Sequence, residues 1–238
     1  ATLPLHNRFR KLPAIFDFML GELSAHYDRL SFCMHYNMED IRGFQWFHYH
    51  EPDQGQFRID LNYTGLIDLE APRDFDAYVA AIRKKNRQHY RRAMRDDLSV
   101  EVSDDVDTLD HLHNLTFKRQ GLGRQDRNAN LLRSITATAL SGGFGELLVC
   151  SDGDGEALAA TLFIRDEECG YSIFAGNNPT YNLKNAGTVL LLENIRRCMD
   201  RGLKRVDMCG INSPNRGDFK TSFNALPVPY FTATWERP

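Results

Sequence analysis

Apolar positions in the first quarter of the chain change from helical to strand-like spacing. One face of residues 12–28 carries the apolar side chains Ile15, Phe16, Met19, Leu20 and Leu23, which predicts a helix, and an aromatic-rich strand follows over 30–36. A short helix around 39–47 and one long or two short strands within 56–69 come next. This part of the chain therefore predicts one long helix followed by strands.

The middle of the chain is mainly helical in pattern. Pro72 and Asp74 begin a helix that we expect to continue as far as Arg95. A short strand over 98–102 follows, and then two helices. The two helices cover about 106–120 and 128–140.

From Glu146 onward the apolar spacing becomes that of strands. A run of alternating Asp and Gly, residues 152–155, is a strong hairpin signal between the first two strands, and Gly202 is a typical helix stop. The predicted order is three strands, a helix, a strand, a short helix and a last strand: 146–151, 157–164, 169–175, 186–201, 205–208, 219–223 and 228–235.

Two equally long segments repeat one order of elements. Residues 12–44 and residues 187–219 each run through a helix, a strand, a loop and a short aromatic helix, and a strand follows each. We therefore expect an internal duplication of one structural unit.

Composition narrows the function classes. The 238 residues are 42% apolar and 26% charged, with a net charge of -3, so no overall basic field indicates a nucleic-acid partner. Five scattered cysteines predict neither a zinc site nor disulfides, and no apolar run reaches the ~20 residues of a membrane helix. No signal peptide is visible, so we expect a cytoplasmic protein, although the first residue, Ala1, indicates a processed or trimmed chain.

The order of elements after Glu146 and two motifs resemble known transferases. Three strands in hairpin order followed by a crossover helix resemble the GNAT acyltransferases. Within them, Asp207 to Gly210 (D-x-x-G) and Phe219 to Asn224 (F-K-x-x-F-G/N) are similar to the FemAB-like branch. The run RKKNRQHYRRA also resembles a segment of that branch. The resemblance covers nearly the whole chain.

The resemblance implies an α/β (α+β) GNAT fold, a mixed and mostly antiparallel sheet flanked by helices. It implies one complete C-terminal lobe and a partial N-terminal GNAT-like lobe. The expected domains are a partial lobe over 1–70, a basic connecting helix over 71–97, and a complete acyltransferase lobe over 98–238.

A phosphate-binding loop is expected where the third strand feeds the crossover helix. The first N–H groups of a helix lack intrahelical acceptors and carry partial positive charge, so they attract phosphate. The family signature Q/R-x-x-G-x-G/A is matched here in part, with one glycine where two are usual. The expected cofactor-binding residues are Lys184, Asn185, Ala186, Gly187 and Thr188. An ordinary loop-to-helix junction is the alternative.

The resemblance places Lys220 of the F-K motif beside the acyl-transfer site. A fixed ammonium there would stabilise the negative charge that develops on the attacked carbonyl, whereas the alternative is a surface lysine. Asp207 ends a strand and is a candidate proton acceptor or a cap for the next turn. Tyr171 or its neighbour Ser172 faces the cleft by strand alternation. Lys220, Asp207 and Tyr171 are therefore the candidate catalytic residues.

The helix predicted over 72–95 carries arginines at every fourth position from Arg83, with no acid between Arg83 and Arg95. Such a stripe either binds phosphates of a substrate or is a solvated surface. We assign Arg87 and Arg91 to substrate binding, together with Phe219. The histidines, His89 included, show no metal-ligand spacing and are expected to be structural or exposed.

The function predicted from these observations is N-acyl transfer from acyl-CoA to an amine of a small-molecule or cell-envelope-related acceptor, without a metal. Aminoacyl-tRNA is the alternative donor, so tRNA is an open but less favoured partner. A GNAT-like module that binds a ligand without catalysis is the alternative outside the enzyme class. The oligomeric state and the identity of the general base are left open.

Overall fold

The computed structural model describes residues 5–119, 121 and 126–238. The helices in this part are α1 (Leu5–His26), α2 (Arg42–Trp46), α3 (Phe75–Ala81), α4 (Lys84–Ala93), α5 (Val106–Arg119), α6 (Asp126–Ser141), α7 (Ala186–Asp200) and α8 (Pro214–Thr221). The strands are β1 (Arg29–Cys33), β2 (Arg58–Asp68), β3 (Ser99–Ser103), β4 (Gly145–Ser151), β5 (Ala157–Arg165), β6 (Cys169–Asn177), β7 (Arg205–Asp207) and β8 (Leu226–Glu236).

These elements confirm most of the predicted ones. The segment 56–69, predicted as one long or two short strands, forms the single long strand β2. The helix predicted over 72–95 is wrong as one element, because Ile82 adopts an extended conformation (φ −68°, ψ 167°) and separates α3 from α4. Ile82 is fully buried there, and the next N–H, of Arg83, bonds to the carbonyl of Ser222. The last short helix begins earlier than predicted, at Pro214, since proline suits the first helical turn.

The chain packs as two units. Unit 1 comprises the residues up to Thr64 together with Val228–Pro238, and unit 2 comprises Gly65–Pro227. The sequence had placed the last strand with residues 98–238. In the structure β8 pairs antiparallel with β1, and its Ala233 and Trp235 belong to the core of unit 1. The chain passes from one unit to the other within β2.

Unit 1 is built around an aromatic core. Its strand order is β1-β8-β2, with Leu30 opposite Trp235 in the β1–β8 register. Helix α1 contributes Leu20, which is fully buried, and Phe16, whose ring lies 4.9 Å from that of Phe44. Met19 and Leu23 of the predicted face also pack against this core, whereas Ile15 is 60% exposed, so the predicted face is the packing face except at Ile15.

Unit 2 holds a mixed sheet in the order β2-β7-β6-β5-β4-β3. Its pairings are antiparallel except for β6 and β7, which are parallel and are connected through α7. Helix α7, the predicted crossover helix, packs on this sheet. Its residues Val189, Leu190, Leu192 and Ile195 are buried in the cores of unit 2, and Met199 packs against one of these cores.

The end of β6 is held against α5 at very close range. A Cβ added at Gly176 would lie 2.3 Å from the backbone of α5 at Leu112 and His113, so only glycine permits this approach. The hydroxyl of Thr116 then accepts the N–H of Asn177 at 3.0 Å. These contacts fix the point where the chain leaves β6 and turns towards α7.

Candidate active site

A cleft of about 310 Å³ lies in unit 2 at the start of α7. One wall is formed by residues 185–188, where α7 begins, and by Asn177 and Asn178 at the end of β6. Another wall is formed by Arg83 and α4, and a third by α8 with Asn215 and Phe219. We call this the α7 cleft.

The backbone before α7 turns sharply so that the helix begins inside the cleft. Asn185 has a left-handed conformation (φ 58°), and its carbonyl accepts the N–H groups of Thr188 at 2.9 Å and Val189 at 3.3 Å. The N–H groups of Ala186 and Gly187 precede the first intrahelical bonds. They therefore add partial positive charge to this wall of the cleft.

Gly187 is needed for the contact between α7 and β6. A Cβ at this position would lie 2.7 Å from Oδ1 of Asn177, closer than side chains approach one another. The single glycine of the phosphate-loop motif thus lets the start of α7 lie directly against the Asn177 amide. Packing against Asn177 therefore explains the glycine at this position independently of any contact with a ligand.

The wall formed by Arg83 and α4 carries cations and is hydrogen-bonded to α8. The guanidinium of Arg83 makes two hydrogen bonds, of 2.8 and 3.0 Å, to the carboxylate of Asp218. The buried amide of Asn86 donates to the hydroxyl of Ser222 at 2.6 Å and to its carbonyl at 3.2 Å. Lys85 is exposed and lines the cleft. A ligand in the cleft would therefore meet the positive charge of Lys85 on a wall that hydrogen bonds hold to α8.

His89 lines the α7 cleft as well. Burial lowers the pKa of its imidazole, and the nearby charges of Lys85 and Arg92 lower it further. The ring is consequently neutral at pH 7 and able to accept a proton. The sequence had placed His89 among the structural histidines, although its spacing from Lys85 already put the two on one helix face.

Four of the five predicted cofactor-binding residues, Asn185 to Thr188, line the α7 cleft, and Lys184 does not. The Nζ of Lys184 lies 2.6 Å from Oδ2 of Asp152, in the turn between β4 and β5, and this ion pair raises the pKa of the lysine. Oδ1 of Asp152 also accepts the N–H of Glu156 at 3.0 Å. Lys184 thus connects the loop before α7 to a hairpin turn.

Among the predicted substrate-binding residues, Phe219 lines the cleft, whereas Arg87 and Arg91 are not among its lining residues. The guanidinium of Arg87 donates to the carbonyl of Ile82 at 2.9 Å and to that of Ala80. Arg87 therefore caps the end of α3. Its side chain can do so because α3 ends at the break before α4.

Lys220 lies under the loop between β7 and α8. Its ammonium donates to three successive carbonyls, those of Met208, Cys209 (2.7 Å) and Gly210 (3.2 Å). Burial lowers the pKa of Lys220 to about 8. To stabilise an oxyanion directly, the ammonium would have to exchange one of these carbonyls for the substrate oxygen.

Asp207 and Tyr171 are opposite each other in the β6–β7 register, and neither is among the residues that line the α7 cleft. The carboxylate of Asp207 is buried and accepts the N–H of Cys209 at 2.7 Å. The phenol of Tyr171 donates to Oδ2 of Asp166 at 2.7 Å, and burial raises its pKa. The structure therefore brings Asn185–Thr188 together with Phe219 in the α7 cleft. The other predicted site residues are not among its lining residues: Tyr171, Asp207, Lys220, Lys184, Arg87 and Arg91.

A second, larger cleft of about 870 Å³ shares a wall with the first. Asn177, Asn215 and Phe219 line both. The remainder of the second cleft is lined by Arg119 at the end of α5 and by Arg216 with its neighbours at the start of α8. We call it the α5 cleft. No motif indicated Asn177, at the end of β6, or Asn215, at the start of α8, since a single asparagine carries no spacing signal.

Two kinds of feature are absent from the described part of the chain. There, no group of three or more His, Cys, Asp or Glu side chains is arranged to hold a metal ion. In the same residues, no helix combines the length and apolar character needed to cross a membrane. The sulfurs of Cys150, Cys169 and Cys198 are buried, which raises the pKa of each thiol and makes them poor nucleophiles.

The family model described as an acetyltransferase (GNAT) domain matches residues 67–221, which is more than half of the chain. The chain belongs to the GNAT acetyltransferase family. Membership of this family identifies the chain as an acyltransferase. This agrees with the enzyme predicted from the sequence and disagrees with the alternative of a module that binds a ligand without catalysis. The matched range contains every lining residue of the α5 cleft and all of those of the α7 cleft except Ser222, and it ends at the last residue of α8. No curated protein matches the chain in sequence.

Solved structures show the same GNAT fold at low identity. FemX is 11% identical with a TM-score of 0.68, and the match covers 92% of this chain and 76% of that one. L-PGS from Bacillus licheniformis is 14% identical with a TM-score of 0.62, covering 96% and 74%. A tandem GNAT protein from the clavulanic acid biosynthesis pathway is 11% identical with a TM-score of 0.59, covering 94% and 69%. The predicted GNAT fold is confirmed.

Proposed function

We propose that this GNAT protein transfers an acyl group from acyl-CoA to the amine of a small-molecule or cell-envelope-related acceptor, with the donor in the α7 cleft. The observation that carries the proposal is the pairing of two positive walls. The start of α7 supplies N–H groups, and Lys85 on α4 faces the same space, where Arg83 is paired with Asp218. A diphosphate carries charge that both walls attract.

In the proposed reaction the amine nitrogen attacks the thioester carbonyl, a C–N bond forms, the C–S bond breaks, and CoA leaves as the thiol or thiolate. The carbonyl oxygen becomes negative during the attack. The amides of Asn177 and Asn215 line the wall shared by the two clefts and are the donors we assign to that oxygen. His89, neutral at pH 7, is the group we assign to accept the proton of the amine.

The predicted catalytic roles of Lys220, Asp207 and Tyr171 stay predictions. For Lys220 we propose action through the loop, because its ammonium bonds three successive carbonyls there. That loop leads into α8, which carries Asn215 and Phe219. Asp207 supports the same loop through its bond to the N–H of Cys209.

An aminoacyl-tRNA donor is the second candidate, since α4 carries several exposed cations and the fold resembles that of FemX. The terminal phosphates of a nucleic acid would meet the same walls as a diphosphate. The overall charge of -3 favours the smaller donor, because a long nucleic acid needs an extended basic surface.

The test measures CoA affinity by calorimetry in wild type, Lys85→Gln and the matched control Lys84→Gln. Lys84 is the exposed neighbour that does not line the cleft. Loss of one cation–phosphate contact of about 1 kcal/mol weakens affinity by roughly fivefold. We expect that loss for Lys85→Gln alone, and a smaller one at high salt.

A wild-type protein that fails to bind millimolar CoA but binds an aminoacyl-adenosine mimic would reverse the choice of donor. Failure to bind either compound would remove the α7 cleft as a donor site.

A further inference from the structure

The proposed donor site is the α7 cleft, and the α5 cleft lies directly beside it. It joins the α7 cleft at Asn177, Asn215 and Phe219, the wall where we place the reacting thioester. A nucleophile must reach that wall from a side that the donor does not occupy. The α5 cleft is the larger of the two and opens onto the same residues.

Two guanidinium groups dominate the chemistry of this cleft. Arg119 comes from the last residue of α5 and Arg216 from the first turn of α8. Arg83 in the α7 cleft is neutralised by Asp218, but among the described side chains no carboxylate pairs with Arg119 or Arg216. The two arginines come from separate elements, so the fold itself brings their charges to one cavity.

Further features of the cleft favour negative charge. Ser213, Pro214 and Asn215 also line it, and they are the residues at which α8 begins, so the positive end of that helix faces the cavity. Arg216 is close enough to Lys220 for its charge to oppose protonation of the lysine. The cleft therefore carries excess positive charge and has no described acid to offset it.

We propose that the acceptor amine carries an anionic group, a carboxylate or a phosphate, which Arg119 and Arg216 bind in the α5 cleft while the amine reaches the wall of Asn177 and Asn215. Guanidinium groups suit both anions because their planar donors pair with two oxygens at once. This inference rests on the proposed function, since it takes the acceptor site from the position of the donor. It narrows the acceptor class from amines in general to amino acids and aminoalkyl phosphates.

The experiment compares matched amines that differ only in the anion. The pairs are β-alanine with β-alaninamide, and 2-aminoethyl phosphate with ethanolamine, and binding is measured by ligand-observed NMR in the presence of CoA. We expect the anionic member of at least one pair to bind wild type at least tenfold more tightly than its neutral partner. The pair that shows the preference identifies carboxylate or phosphate as the anion.

Variants test whether the two arginines cause the preference. Arg119→Gln and Arg216→Gln should each reduce it about fivefold or more, while leaving CoA affinity unchanged. Lys118→Gln, an exposed neighbour of Arg119 that does not line the cleft, is the control and should retain the full preference.

Equal binding of anionic and neutral amines to wild type, or no binding of any of the four, would overturn the inference. So would a preference that survives in both arginine variants. A wild type that prefers anionic amines but binds no CoA would instead overturn the proposed donor and leave the anion site standing.

Discussion

The buried amide of Asn86 offers a quantitative test of how the α7 cleft is built. Asn86 is 7% exposed, and its Nδ2 lies 2.6 Å from the hydroxyl oxygen and 3.2 Å from the carbonyl oxygen of Ser222. These bonds connect α4 to the end of α8. The substitution Asn86→Ala removes both of them without adding a group that could clash.

The expected loss of stability depends on which hydrogen bonds Ser222 retains in the variant. The Ser222 carbonyl keeps the N–H of Arg83 at 3.1 Å, and the Ser222 hydroxyl still donates to the carbonyl of Phe219, so neither is left without a partner. Two lost bonds at about 1 kcal/mol each, with a small cavity, give a loss of about 2–3 kcal/mol. For a unit of this size that corresponds to a Tm lower by about 4–10 °C.

Urea unfolding followed by circular dichroism measures this loss, since both tryptophans, Trp46 and Trp235, belong to unit 1 and would not report on unit 2. Gln88→Ala, at an exposed position of the same helix, is the control and should change the free energy of unfolding by less than about 0.5 kcal/mol. Asn86→Asp should cost more than Asn86→Ala, because a carboxylate would face the Ser222 carbonyl. A loss for Asn86→Ala no larger than that of the control would refute the reasoning.

Two further substitutions test neighbouring parts of the site. Burial lowers the pKa of Lys220 from the ordinary 10.5 to about 8. Between these two pH values the unfolded chain keeps the proton of this lysine, while the folded protein loses it. The unfolding free energy of wild type minus that of Lys220→Met should therefore rise as urea titrations move from about pH 8 to about pH 10, and a constant difference would contradict the lowered pKa. A turnover loss of about a hundredfold for Lys220→Met, with unchanged stability at pH 7, would restore the direct oxyanion role. Gly187→Ala should displace the Asn177 amide, whose Oδ1 would lie 2.7 Å from the new Cβ, and lower acetyl transfer without destabilising the helix. Gly21→Ala, in a helix with open space around the glycine, should leave transfer unchanged; equal turnover in the two variants would show that Asn177 is not needed.

Local sequence determined the elements and, through their order, the family. The apolar spacing within α7, the Asp-Gly turn between β4 and β5 and the helix stop at Gly202 act over a few residues, so pattern alone could locate them. The resemblance of the motifs then placed Asn185–Thr188 at a helix start, and these residues do line the cleft. The single glycine of that motif could be found from sequence, although its packing against β6 could not.

Tertiary structure decided which side chains are available to a substrate. The sequence offered Lys184, Arg87 and Lys220 as ligand-binding groups, and in the fold their charges bond to Asp152, to the end of α3 and to the loop after β7. Charged groups take the acceptors that lie nearest in space, and several of these are far away in the chain. The break at Ile82 likewise depends on Ser222, and the placement of β8 depends on β1. Contacts of this kind leave no periodic trace in the sequence, because each one is fixed by the packing of elements that only the complete fold brings together.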